Sequence, residues 1–232
     1  MTGDGEDGAG TARTVHTVIE AVTTAGFDAF MAPLERWKLH HIRSRLIPRA
    51  SGAVLEIGAG TGINLRYYRP ENITSLTLSD RDDRRATLRS RVSRLPEQLG
   101  RVTSVRRLDA EGLPFPDNTF DAVVATLLFC SVDCPPCGFD EILRVLKPRG
   151  EYLFLEHVQP VRSGTARLFD TINPLWNTLS RGCNLNRDTL LDMESAGFIL
   201  NPVHRDGGAG VFVWGVAHPR AQQKGEDHRG ST

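Results

Sequence analysis

The densest chemical signal in the sequence is Glu56-Ile57-Gly58-Ala59-Gly60-Thr61-Gly62, which directly follows the apolar run Ala53-Val54-Leu55. Glycines at the end of a buried strand let the backbone turn sharply and admit a ligand closer than any Cβ would allow. A helix starting there offers free N–H groups and a partial positive charge. A nucleotide-like ligand is implied, the plain tight turn being the alternative for a lone glycine cluster. Counted from Gly58, the dinucleotide fingerprint Gly-x-Gly-x-x-Gly needs a glycine at 63, where the sequence has Ile63, so the count argues against a nicotinamide dinucleotide. Asp80 and Asp109 end the next two strand-like segments. At the second tip an acid can accept from both ribose hydroxyls, and at the third from an adenine amino group. Glu56 adds a negative charge that would repel a pyrophosphate and suits an ammonium or sulfonium cation. Either aspartate alone also reads as a helix cap. Three acids at three strand tips outline an adenosine carrying positive charge.

Two further groups could do chemistry. His157 ends a fifth strand-like segment, where it reads either as a proton acceptor or as a residue fixing the next loop by hydrogen bonds. Cys130, Cys134 and Cys137 have the Cys-x3-Cys-x2-Cys spacing of a [4Fe–4S] cluster, and Cys134-Pro135-Pro136-Cys137 mimics a redox pair. Incidental, reduced loop thiols are the simpler expectation. His40 and His41 read as solvated, and no His/Cys/Asp spacing suggests zinc.

The elements that must position these residues follow from periodicity. Helical spacing runs from Val15 to Phe30 and from Leu34 to Leu46. Strand patterns cover Ala53–Ile57, Ile73–Leu78, Val102–Leu108, Phe120–Leu127, Glu151–Val158, Phe198–Val203 and Val211–Val216. Between them fall a helix-compatible run from Asn64, helices over Asp82–Leu95 and Phe139–Leu146, the latter closed by Lys147-Pro148-Arg149-Gly150, and a helix over Asn186–Gly197 capped by Asn186. The stretch before Asn186 reads as irregular. Strand and helix alternating with short connections predict an α/β fold: a Rossmann-like, doubly wound seven-stranded sheet, mostly parallel, with a C-terminal antiparallel hairpin and an N-terminal helical layer. The predicted boundaries are a tail over 1–12, the helical layer over 13–50, a ligand-binding domain over 51–217 with an insertion at 158–185, and a tail over 218–232.

Composition narrows the partners. Twenty-eight Lys+Arg against 28 Asp+Glu give a formal charge of zero, which supplies no field to concentrate nucleic acid or anionic lipid. No stretch has the apolar length to cross a bilayer, and the acidic opening Met1-Thr2-Gly3-Asp4 is unlike a secretory signal, so a cytoplasmic protein with no membrane span is expected.

The ordered set Val54–Gly62, Asp80, Leu108–Asp121 and Leu143–Gly150 resembles the successive motifs of class I S-adenosylmethionine-dependent methyltransferases. Within that superfamily Phe154-Leu155-Glu156-His157-Val158, Cys130-Ser131-Val132 and Gly182-Cys183-Asn184-Leu185 resemble the branch containing alkyl thiol S-methyltransferases, over about residues 27–217. The resemblance implies S-adenosyl-L-methionine as cofactor and S-adenosyl-L-homocysteine as product. It assigns Gly58, Gly60 and Gly62 to the methionyl part with Glu56 nearby, Asp80 to the ribose, Asp109 and Ala110 to the adenine, and the turn from Leu127 to Cys130 to the region under the methyl. The resemblance also makes the N-terminal helical layer over 13–50 a helical lid, together with the insertion after the fifth strand, and implies a substrate pocket of Phe27, Phe30, Met31, Trp37, Cys130, Phe169, Trp176 and Cys183. Eukaryotic members of the branch carry an apolar N-terminal anchor; no such stretch occurs here, so membrane attachment is not expected.

The implied reaction is methyl transfer to a small molecule by in-line displacement. A thiol of pKa about 8.5 is already ionised to a few per cent at neutral pH, whereas an alcohol needs a dedicated base, and the scarcity of obvious bases favours sulfur. O- or C-methylation of a phenolic or quinone-type metabolite, a radical iron–sulfur enzyme and a non-catalytic adenosine-binding module are the alternatives left open.

Overall fold

The computed structural model describes residues 35–81, 85–160, 163–179, 182–206 and 210–220. It divides into two units, Met1–Ile42 and Arg43–Thr232. Of the first unit, the described part is a π-helical turn, Glu35–Leu39, running into α1 (His40–Leu46). The helix expected over 15–30 and the pocket residues Phe27, Phe30 and Met31 lie outside the described residues.

The second unit is built on a sheet in the order β3-β2-β1-β4-β5-β7-β6. Its strands are β1 (Gly52–Ile57), β2 (Ile73–Asp80), β3 (Thr103–Arg107), β4 (Phe120–Thr126), β5 (Leu146–His157), β6 (Phe198–Arg205) and β7 (Phe212–Pro219). The first five pair in parallel, while β7 runs antiparallel to both β5 and β6, as the alternation and the terminal hairpin predict. β1 and β4 read as unbroken apolar runs because neither face meets water: Val54, Leu55, Val123, Val124 and Ala125 are all fully buried. The chain winds outward from β1 to β3 and returns to β4 on the other side of β1. That reversal opens a crevice at the carboxyl ends of β1 and β4. Register brings the relevant ends level, with Ile57 opposite Ala125 and Thr126 opposite Leu155.

The helices are α2 (Arg85–Val92), α3 (Glu97–Arg101), α4 (Pro135–Val145), α5 (Ser163–Leu179) and α6 (Thr189–Ala196). α4 buries Phe139, Ile142 and Val145, a one-sided spacing that seats it on the core. There Phe129 and Phe139 stack with centroids 4.0 Å apart, and Tyr152 and Phe198 pack beside them.

Several expectations need correction. The helix expected over 82–95 is described from Arg85 and ends at Val92, and a second short helix that the pattern did not show, α3, follows with Pro96 as its N-cap. α4 starts at Pro135, a residue suited to a first helical position, and the expected stop Lys147–Gly150 lies inside β5, whose pairing with β4 shifts register between Phe120 and Ala122. The N-cap of α6 is Asp188, whose carboxylate accepts from the Leu191 amide at 3.3 Å, and not Asn186. The run from Asn64 is a short 3₁₀ turn, Ile63–Tyr67. The stretch read as irregular contains the 17-residue α5, with Pro174 inside it.

Candidate active site

The glycine turn leaves β1 with φ of 68° at Gly58, 55° at Gly60 and 79° at Gly62, values that favour residues without a Cβ. β2 holds the turn from the side. Asp80 Oδ2 accepts from the Gly60 amide at 2.7 Å, Ser79 O accepts from the Ala59 amide at 2.8 Å, and Ser79 Oγ donates to Glu56 O at 3.1 Å. The acid expected to hold a ribose thus also shapes the turn beside it.

Glu56 is almost wholly buried, and both its oxygens are engaged by the protein. Asn64 Nδ2 donates to Oε1 at 2.9 Å and Tyr68 OH to Oε2 at 2.7 Å. Arg43 donates to Asn64 Oδ1 at 2.7 Å and to Thr126 Oγ1 at 2.8 Å, so its charge reaches Glu56 through Asn64. Burial pushes the Glu56 carboxyl up to about 7, against the opposing pull of Tyr68, Asn64 and Arg43.

At the third tip Asp109 is exposed, with Oδ1 accepting from the Glu111 amide at 3.1 Å, and Ala110 is buried. Glu111 Oε1 in turn accepts from the Cys134 amide at 2.8 Å, tying this tip to the start of α4. Cys134 and Cys137 are joined in a disulfide with Cα atoms 5.4 Å apart, which corrects the expectation of reduced loop thiols. The first turn of α4, started by Pro135-Pro136, brings the two sulfurs together. Two of the three cysteines with cluster spacing are therefore spent on each other, at the start of α4.

The ends of β4 and β5 carry the remaining groups. Leu127 has φ of 55°, and its amide donates to Leu155 O at 2.6 Å. The turn that follows folds over Glu156, whose Oε1 accepts from the Leu128 and Phe129 amides at 3.2 Å each. Cys130 is buried, and its thiol hydrogen-bonds with that of half-buried Cys183, while burial and the neighbouring Glu156 also push its pKa up. The segment 182–187 clamps this turn: Asn184 donates from its amide and from Nδ2 to Cys130 O at 2.8 and 3.1 Å, and Arg187 donates to Phe129 O and Val132 O at 2.6 and 2.7 Å. His157 stacks on Phe169 at 6.2 Å and meets the edge of Phe212 at 5.5 Å. Burial drives its pKa down to about 4 despite Asp206, so the imidazole is neutral at physiological pH.

The structure thus brings Gly60 to Asp80, Cys130 to Cys183 and His157 to Phe169. Trp176 lies half-buried on α5, and Trp37 belongs to the first unit with an exposed side chain. Sequence reasoning missed Glu156, Asn184 and Arg187. The signal for Glu156 was a carboxylate directly after the apolar run Tyr152–Leu155, where an acid costs free energy unless hydrogen-bonded.

The residues at this edge fit the implied cofactor in donor chemistry: acids at the strand tips suit an adenosine with a cationic sulfur. Comparison with known proteins agrees. Residues 55–154 match the methyltransferase domain family. The chain is 35% identical over 153 residues to human thiol S-methyltransferase TMT1B, covering 64% of this chain and 62% of that one. It is 28% identical over 177 residues to human thiol S-methyltransferase TMT1A, covering 75% and 71%. It is also 33% identical over 129 residues to the ubiquinone/menaquinone biosynthesis C-methyltransferase UbiE of Ruegeria, covering 54% and 50%. The chain spans about three fifths of the length of the TMT1B relatives. Among solved structures, the [4+2]-cyclase SpnF superposes with TM-score 0.63 at 19% identity, covering 79% of this chain and 80% of that one. An S-adenosylmethionine-dependent methyltransferase from Mesorhizobium loti gives 0.59 at 18%, covering 76% and 95%. These two likenesses establish the fold.

Proposed function

We propose that this protein is an S-adenosylmethionine-dependent methyltransferase, a reading the domain match over residues 55–154 supports, and that it methylates the sulfur of a small, partly apolar thiol. The observation that carries the reading is the chemistry at the ends of β4 and β5, where His157 is neutral between Phe169 and Phe212 and two thiols lie in contact at Cys130 and Cys183. An apolar thiol suits such surroundings, and the identity with the TMT1 enzymes points the same way.

When bound, S-adenosyl-L-methionine supplies an electrophilic methyl on a sulfonium. The chain's part is to hold and orient. Asp80 and Asp109 are placed to accept from ribose and adenine, the glycine turn lets the backbone close on the methionyl end, and Cys130, Phe169 and Cys183 are the pocket residues for the acceptor. Orientation of this kind supplies about 7 to 11 kcal/mol in favourable systems. A thiolate meeting a sulfonium cancels charge, which a water-poor crevice favours over the separated ions.

The 33% identity to UbiE favours a second reading, C- or O-methylation of a quinone-type metabolite. One experiment separates the two: thiols, phenols, amines and quinols are each offered with S-adenosyl-L-methionine, and S-adenosyl-L-homocysteine release is followed with mass identification of the product. Turnover with thiols is expected. Preferred turnover of a quinol or phenol would replace the thiol reading, and binding of the cofactor with no acceptor turned over would leave a binding module.

A further inference from the structure

We propose that Glu156 is the group that takes the proton of the acceptor thiol, through its Oε2. The proposal rests on the thiol reading above. β5 enters the site as a fully buried run, Tyr152, Leu153, Phe154 and Leu155, and Glu156 continues it with no exposed surface. A carboxyl in such a place is costly unless its oxygens are satisfied. Oε1 accepts from the Leu128 and Phe129 amides, and the Cys130 amide also favours the ionised carboxyl. Oε2 is equally buried and has no hydrogen-bond partner among the described residues. Once ionised, a rigidly held carboxyl with one oxygen bound and the other vacant is arranged to receive a donor.

The donor it is shaped for is a thiol. The titratable groups facing the carboxyl are Cys130 on the turn after β4, Cys183 on the segment 182–187 and Tyr152 on its own strand. Two of these are sulfurs, of which Cys130 is buried and Cys183 half-buried. The edge of the sheet is also the right one: Leu128, whose amide holds Oε1, packs against Gly58 of the cofactor turn. Proton affinities match as well. Burial pushes the Glu156 carboxyl up to about 8, close to the value of about 8.5 for a free thiol, and such matching favours proton transfer. Neighbouring His157, held near 4, is much too weak a base for the same task.

In the step, the S–H bond of the acceptor breaks, the proton passes to Oε2, and the electron pair left on sulfur forms the new S–CH3 bond. The pair of the old CH3–S⁺ bond stays on the leaving sulfur, which becomes a neutral thioether. Glu156 afterwards gives its proton to water.

The test compares 2-mercaptoethanol, which must lose a proton to react, with 4-nitrothiophenol, which is already ionised at neutral pH. Glu156→Gln is expected to lose about 100-fold in kcat/KM on 2-mercaptoethanol, and at least tenfold less than that on 4-nitrothiophenol, with S-adenosyl-L-methionine affinity by calorimetry unchanged. Equal losses on the two thiols would overturn the proposal. The wild-type enzyme gives an independent reading that does not need the variant to fold. kcat on 2-mercaptoethanol should rise with a limb near pH 8 and kcat on 4-nitrothiophenol should be flat across it. A limb that follows the ionisation of 2-mercaptoethanol itself would overturn Glu156 as the acceptor while leaving thiol methylation standing. Wild-type protein that methylates neither compound would overturn the thiol reading and this proposal with it.

Discussion

Leu128 Cδ1 stands 2.7 Å from the place a Cβ on Gly58 would occupy. The turn after β4 is therefore packed into the turn after β1, and only glycine at 58 lets the two close. The backbone there is left-handed as well, with φ of 68°. An L side chain in that region costs about 1–2 kcal/mol before any clash is counted. Gly58→Ala should lower the melting temperature by roughly 2–8 °C, at about 2–4 °C per kcal/mol for a chain of this size. It should also weaken S-adenosyl-L-methionine binding, because Leu128 must move. The control is Gly112→Ala, whose Cβ would meet nothing within 4 Å. Scanning calorimetry of both variants decides; equal melting points would remove the argument.

What the sequence shows of this fold is what depends on local pattern. β1 and β4, the glycine turn and the terminal hairpin follow from apolar runs and glycine positions, which are short-range facts. α5 was missed because Pro174 and the surrounding Asn173 and Asn177 read as breakers, while Asn173 accepts from the Leu185 amide at 2.6 Å and so belongs to a clamp formed only in three dimensions. Glu56 shows the same limit. Its place beside the glycine turn was legible, but its partners Asn64 and Tyr68 lie across a turn whose 3₁₀ geometry the sequence does not announce. At β5 the eye falls on His157 as the familiar proton acceptor. The surroundings that lower the basicity of His157 include Phe169 and Phe212, and Cys183 lies near Glu156, all distant in sequence.

Asp80 is the acid whose removal should be felt directly by the cofactor. It ends β2 and anchors the Gly60 amide at 2.7 Å, and the ribose contact proposed for it is tested by its removal. Hydrogen bonds to a charged group contribute about 1.5–3 kcal/mol each. Asp80→Ala should raise the S-adenosyl-L-methionine Kd by about 10- to 100-fold in calorimetry, and Asp80→Asn, which keeps an acceptor oxygen, should lose less. An unchanged Kd in Asp80→Ala would take this residue out of the site.

Stability should fall as pH rises through the neutral range, and Glu156 is one cause. Its carboxyl has an ordinary value of 4.5 unfolded and about 8 folded, so between those values the folded chain holds a proton that the unfolded chain releases. By linkage, stability is fully present below 4.5 and is lost progressively up to about pH 8. Glu56, raised to about 7, acts in the same direction over a narrower window. His157, lowered to about 4 from 6.5, acts oppositely, its contribution being lost as pH falls from 6.5 to 4. Above pH 6.5 the two glutamates alone set the trend among these three. Glu156→Gln should therefore show a shallower fall in melting temperature between pH 6.5 and 8.5 than the wild type. Parallel curves would show that the Glu156 carboxyl does not carry this proton.

The disulfide between Cys134 and Cys137 closes a loop with a sequence separation of only 3, so its effect on stability should be small. Loop-closure entropy for about four residues corresponds to about 2 kcal/mol in the chain-entropy treatment, which at roughly 2–4 °C per kcal/mol limits the change to about 4–8 °C. Both ends of α4 are held by other means as well, since Glu111 Oε1 accepts from the Cys134 amide at its start and Arg144 bridges Glu141 to Asp117 near its end. Neither contact depends on the redox state of the sulfurs. A phosphine reductant, chosen because a thiol reductant would compete as methyl acceptor, should lower the wild-type melting temperature within that limit. It should leave the Cys134→Ser/Cys137→Ser double variant unaffected. Alkylation of unreduced, denatured protein should label Cys130 and Cys183 and spare the other two, whereas label on all four cysteines would show that the bond does not form. A drop well beyond the limit would mean that α4 needs its disulfide to stay seated on Phe129 and Tyr152, and through them that the Glu156 turn depends on it too.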